Sequence, residues 1–165
     1  MFKPFLAVFT ALAATSLVGS AQAVVHVVPP NLQGPRQLPD QTAKAAIRDY
    51  LESWKSMSSA LEQNRADLLD PAFTGVARDK LTGTIQEQAA LGIRTGYHDR
   101  SHDIQIVFYS PEGLSIQLID NVQYDVRIIE KQVSKTIQNV SSRFIIVMTP
   151  SEVRWRVRVF QADPN

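Results

Sequence analysis

The sequence predicts a cone-like α+β fold, in which two or three N-terminal helices pack on a bent, four-stranded antiparallel sheet. Apolar residues recur at helical spacing between positions 40 and 91, and the period changes to two between positions 97 and 160. The clearest alternation covers positions 114–128, where every even position except Asp120 is apolar or aromatic. A strand with this pattern places one face on a core and the other toward water.

The first 23 residues are typical of a secretory signal peptide. Lys3 precedes an apolar run from Phe5 to Val18, and Ala21 and Ala23 are the small residues expected before a cut after Ala23. The run of about 14 residues is shorter than the roughly 20 that span a bilayer. We predict an exported protein, periplasmic or secreted, that leaves the membrane after cleavage; the alternative is an anchor lengthened by residues 24–28.

The composition limits both the chemistry and the partners. The chain has no cysteine, which excludes disulfides, thiol nucleophiles and cysteine metal sites. One of the 17 basic residues and none of the 16 acidic residues lie in positions 1–23, so the remaining chain has 16 of each and no net charge. No overall field therefore draws it to nucleic acid or to an anionic membrane.

The remaining 142 residues suffice for one domain. Positions 24–39 contain four prolines, which favour an extended, proline-rich linker. An alternative is that Val24–Val28 pair on a sheet edge before the prolines stop the strand. The single domain is expected to cover positions 40–162.

Two main helices are predicted before the sheet. The first begins near Asp40 or Thr42 and ends near Gln63, and its apolar stripe comprises Ile47, Tyr50, Leu51, Trp54, Met57 and Leu61. A short helix then ends at Pro71. The second helix covers about Gly75–Leu91, with Gly92 as its left-handed cap.

Four strands are expected from residue 97 onward. A turn at 111–113 joins the first strand to the strand at 114–130, and further strands cover about 140–149 and 153–160. The segment 144–148 is apolar at every position, as in a strand covered on both faces. We therefore expect a homodimer through the outer face of the sheet.

This order of elements resembles the nuclear transport factor 2-like superfamily, also called cystatin-like or SnoaL-like. The resemblance covers residues 41–161 and includes the helix with Tyr50, Leu51 and Trp54, the short helix ending at Leu68 and Leu69, and the terminal strand 155–157. It implies a conical pocket between the helices and the curved sheet. Some members are isomerases, dehydratases or cyclases, and many are non-catalytic binding or dimerisation modules.

Asp120 is the sharpest irregularity, because it interrupts an apolar register. A buried carboxylate in a conical pocket could act as a general base, with Tyr124 or His102 as hydrogen-bond donor. The preferred interpretation is that a bulge at Asp120 and Asn121 turns the carboxylate outward. The arginines at 154, 156 and 158 are interpreted as a solvated face rather than a phosphate site.

Three aromatic residues, Tyr50, Trp54 and Trp155, are candidates to line an apolar cavity, although such residues are also common in cores. No phosphate loop, nucleophile elbow or helical zinc motif is present, so we predict no metal and no cofactor. The expected function is an exported, non-catalytic binding or dimerisation module that holds a small apolar ligand. The alternative is an isomerase or dehydratase that uses Asp120 as its base.

Overall fold

The computed structural model describes residues 22–32 and 34–163, without the side chains of residues 135–137. The predicted signal peptide falls almost entirely on positions 1–21, outside the described residues. Within the described part of the chain, no helix combines the length and the apolar character needed to cross a membrane.

The helices form where the apolar spacing predicts them. Helix α1 covers Asp40–Gln63, a short 3₁₀ helix covers Ala66–Leu69, and helix α2 covers Gly75–Ala90. Gly92 follows α2 with a φ of +69°, the left-handed conformation expected of it. The stripe on α1 is buried at Tyr50, Trp54, Met57 and Leu61.

One sheet holds five strands of the described chain, in the order of the sequence. The strands are β1 (Val24–Val27), β2 (Ile93–Tyr109), β3 (Ile116–Glu130), β4 (Val133–Pro150) and β5 (Trp155–Asp163). The last four pair as an antiparallel meander, whereas β1 pairs with β2 in parallel. The α+β class and the cone-like arrangement are confirmed, but the sheet is mixed and has one strand more than the predicted four.

The first residues of the segment 24–39, predicted as an extended, proline-rich linker, pair with the sheet. Val24–Val27 form β1, and the Val28 and Asn31 backbone N–H groups donate to carbonyls of Ile104 and Ile106, at 2.8 and 3.0 Å. The alternative of an edge strand describes this segment correctly. The prolines follow the four paired residues, so they end β1 without preventing it.

Parity on β3 correctly predicts which side chains in the first half of the strand are buried. Ile116, Leu118 and Val122 are fully buried, and the register with β2 and β4 continues unbroken through Asp120. The predicted bulge at Asp120 is therefore wrong. Leu114, which shares the parity, is 61% exposed because it precedes the strand.

The last strand differs from its prediction. Val153 is 83% exposed and lies before β5. Val157 pairs with Met148 and Val159 pairs with Val147, so the irregularity between these pairs places the two valines on opposite faces. On the free side of β5, Phe73 forms an isolated parallel bridge to Val157.

Replacing Leu118 with alanine tests the assignment of the core face. We expect Leu118→Ala to lower the free energy of unfolding by about 2–5 kcal/mol, because it opens a cavity in a closed core. Leu114→Ala is the matched control and is expected to change it by less than about 0.5 kcal/mol. Urea denaturation of the two variants measures the difference, and equal losses would contradict the assignment.

Candidate functional site

A chain of hydrogen bonds crosses the interior between α1 and the sheet. Its members, called the buried network below, are Asp99 and His102 of β2, Asp120 of β3, and Tyr50 and Trp54 of α1. Tyr50 and Trp54 lie one helical turn apart and therefore face the sheet together. Except for Asp99, every member has at most 2% of its surface exposed.

The Asp120 carboxylate is the centre of the buried network. Its Oδ2 accepts a hydrogen bond of 2.7 Å from the Tyr50 hydroxyl and lies 2.7 Å from Nδ1 of His102. The Trp54 indole N–H donates to the Tyr50 hydroxyl at 2.9 Å. The other carboxylate oxygen, Oδ1, has no hydrogen-bond partner among the described residues.

His102 connects Asp120 to the surface. Its Nε2 lies 3.1 Å from Oδ2 of Asp99, whose side chain is 34% exposed. On a regular strand, residues three apart face opposite sides. The register shift between Asp99 and Ser101 removes this obstacle, so that both residues of the pair face inward.

The charges of the buried network are mutually stabilising. Burial lowers the pKa of His102, but hydrogen bonds and attraction from Asp120 and Asp99 outweigh it and raise the pKa to about 9. The hydrogen bond from His102 lowers the pKa of Asp99. Burial, and then the negative charge of Asp120, raise the pKa of Tyr50 well above its usual range. At neutral pH His102 is thus an imidazolium cation that lies between Asp99 and Asp120.

A large opening on the described chain lies outside this interior. It is a groove of about 870 Å³ between β1, the outer side of α1 and the start of β2, called the β1 groove. Its apolar lining comprises Ala23, Val25, Val27, Ile47 and Leu51, and its polar lining comprises Gln22, Lys44, Arg48, Glu52, Lys55, His98 and Asp99. Asp99 is the point at which the buried network meets the groove.

The structure brings some predicted site residues together and separates others. Asp120 and His102 are in direct contact, with Tyr50 as the second donor. The Tyr124 hydroxyl is directed to a different partner, since it lies 3.5 Å from Ser142 Oγ, although the Tyr124 ring packs beside Trp54.

The three predicted ligand-binding aromatics do not line the β1 groove. Tyr50 and Trp54 are core residues. Trp155 is half-buried, and its backbone N–H donates to Asp49 Oδ2 at 2.8 Å. The described residues contain no group of three or more acidic or histidine side chains that could hold a metal ion.

Sequence reasoning missed two parts of the site. Asp99 enters the buried network only through the irregularity beside it, which no local pattern marks. The valines of β1 did carry a signal, since Val25 and Val27 have the same parity and precede the prolines.

Comparisons with known proteins show a shared fold. No protein-family model and no curated protein match the chain. Among solved structures, the intermembrane space region of the chloroplast protein ARC6 superposes with a TM-score of 0.63 and 13% identity, over 77% of this chain and 98% of that chain. A putative aromatic ring hydroxylase from Novosphingobium aromaticivorans gives 0.51 and 12%, over 77% and 91%. A putative scytalone dehydratase from the same organism gives 0.50 and 11%, over 76% and 89%.

The proton on His102 makes stability depend on pH. The folded chain holds it up to about pH 9, whereas an unperturbed histidine releases it near pH 6.5. The contribution is therefore complete below pH 6.5 and is lost as pH rises toward 9, by roughly 3 kcal/mol at 1.36 kcal/mol per pKa unit. We expect urea denaturation to show this fall in the unmodified chain.

The variant His102→Gln should flatten that slope, whatever its effect on stability at one pH. His98→Gln is the control, because it makes the same substitution at an exposed position of the same strand, outside the buried network. An identical pH dependence in the unmodified chain and in His102→Gln would contradict the protonated state.

Proposed function

The chain has the nuclear transport factor 2-like fold that its sequence resemblance implied, and on this premise we propose that it is an exported, non-catalytic binding module. Its binding surface is the β1 groove, and its ligand presents apolar groups to that groove. The observation that carries the proposal is the contrast between a closed interior and an open apolar groove at the edge of the sheet.

The walls of the β1 groove support this function. Val25 and Val27 are 41% and 47% exposed, and they share the inner face of the sheet with their partners His102 and Ile104. Ile47 and Leu51 of α1 complete the apolar lining. A volume of about 870 Å³ lies within the range of roughly 300–1,000 Å³ that is typical of ligand sites.

The buried network has a structural role in this proposal. The Tyr50 hydroxyl binds Asp120 across the interior, which fixes the distance and the rotation of α1 relative to the sheet. Leu51, the next residue, is thereby held on the side of the groove. A wall with a fixed side-chain arrangement lowers the entropy cost of binding.

Catalysis at Asp120 is the alternative, and the contact of Asp120 with His102 is the observation that favours it. A substrate atom would need to reach the unpartnered Oδ1, because Oδ2 is occupied by two donors. Of the buried network, only Asp99 lines the β1 groove, and Asp120 is fully buried. The solved structures of similar fold include two proteins named as putative enzymes and a region of a chloroplast protein, so the fold favours neither function.

A charge placed in the β1 groove tests the binding function. We expect the purified chain to enhance the fluorescence of 1-anilinonaphthalene-8-sulfonate, and Val25→Glu to weaken this binding about tenfold or more, because the glutamate enters the apolar wall. Val24→Glu is the matched control, since Val24 is 69% exposed on the opposite face of the same strand. Equal binding by both variants would contradict the proposal.

We also propose that the outer face of the sheet joins two copies of the chain. On this face Ile119 pairs with Ile145, and Val147 pairs with Val159, and all four are only partly buried in a single chain. We expect sedimentation at micromolar concentration to show a dimer, which Ile145→Lys converts to a monomer by placing a charge in the interface. Leu91→Lys, at a site 73% exposed and distant from this face, is the control. A monomeric unmodified chain would contradict the dimer.

A further inference from the structure

The outer edge of β1 has unused hydrogen-bonding groups. The Val28 N–H donates to the Ile104 carbonyl. In parallel pairing, alternate residues of an edge strand direct both backbone groups to the neighbouring strand. His26 and Val28 therefore face β2, while the N–H and C=O groups of Val25 and Val27 point away from it and have no strand partner among the described residues.

This edge lacks the features that usually protect one. Natural edge strands carry lysine, inward-pointing charges or prolines that block pairing. Residues 24–27 contain three valines and one histidine, and the prolines begin only at Pro29. The same two valines whose backbone groups are free also line the β1 groove with their side chains.

We propose that the β1 edge and the β1 groove together bind an extended peptide segment of a partner protein, which adds to the sheet as a further strand. This inference rests on the proposed binding function and names its ligand class. The backbone of the segment pairs with Val25 and Val27, and its alternate apolar side chains enter the groove between β1 and α1. An added strand would lie about 4.8 Å from β1, at the open edge of the sheet, and its inward-facing side chains would enter the groove.

The dimensions of the groove fit a short strand. Its wall on α1 extends from Lys44 to Lys55, which is about 17 Å at 1.5 Å per residue. A strand of about five residues has the same length at 3.3 Å per residue. Three of its side chains would face the groove.

The charges on the rim favour an acidic segment over a second copy of this chain. Arg48 and Lys55 form ion pairs with Asp49 and Glu52, at 2.9 and 2.7 Å, whereas Lys44 has no ion-pair partner among the described residues. An acidic residue that flanks the apolar residues of the bound segment would pair with Lys44. A second copy adding its own β1 would instead bring the same unpaired lysine, Lys44, and no complementary acidic excess.

A synthetic peptide tests strand addition directly. The probe is an N-acetylated, C-amidated heptapeptide in which valine and threonine alternate between two terminal glutamates. Two further versions carry N-methyl groups on all valines or on all threonines. In an added strand only one of these sets faces β1, so we expect calorimetry to show binding weakened about tenfold or more for one methylated version and little changed for the other.

Variants of β1 provide the matching test on the protein. Val25→Pro removes an N–H that makes no bond to β2, a position where an edge strand tolerates proline. We expect it to lose peptide binding, while Val25→Ile, which keeps the N–H and the apolar side chain, retains it. Circular dichroism checks that both variants fold.

The outcomes separate this inference from the proposed function. If the fluorescent dye binds the groove and the peptide does not, strand addition is wrong and the binding function stands; if neither binds, both are wrong. Equal binding of the two methylated peptides would also overturn strand addition. A dimer that Val25→Pro dissociates and Ile145→Lys does not would identify a second copy as the occupant and overturn the partner peptide.

Discussion

The contact of Asp120 with Tyr50 and His102 is the constraint on which the rest of the structure depends. A carboxylate without exposure is tolerated only when it is paired and hydrogen-bonded, and here the donors come from two different elements. Helix α1 must therefore lie on the sheet at one depth and one rotation. That position buries Trp54 and leaves Leu51 beside β1, so the polar centre of the fold determines where its apolar groove opens.

The same contact lies in the interior between α1 and the sheet, where a conical pocket was expected. Buried side chains of α1, β2 and β3 surround it, and the one member of the buried network that meets solvent is Asp99. The binding surface that we propose therefore lies at the edge of the cone, between β1 and α1. The proposed ligand site is thus built from β1 and the adjacent side of α1 rather than from the core.

The spacing of apolar residues predicted those elements that depend on neighbouring residues in the sequence. The apolar spacing of α1 and the parity of β3 correctly predicted the ends of the helix and the burial of Leu118, because periodicity is a property of the residues themselves. The inward orientation of Asp120 follows from the same parity, whereas that of Asp99 could not be predicted, since it depends on the irregularity between Asp99 and Ser101, which arises from pairing between two strands. Strand β1 was undervalued for a related reason: four residues carry a weak signal, and their partners lie more than 70 positions away.

The two margins of the sheet are not equivalent. Backbone bonds join Val157 to Ala72 and to Thr74, and the Arg156 guanidinium donates to the carbonyls of Asp70 and Phe73, so the chain itself covers the first part of the margin at β5. Endless lateral stacking of sheets requires two open margins on each unit. A strand added beside β5 would meet residues 72–74 at Val157, whereas one added beside β1 would meet no other strand of the described chain, so the two ends of the sheet differ in their access to lateral pairing.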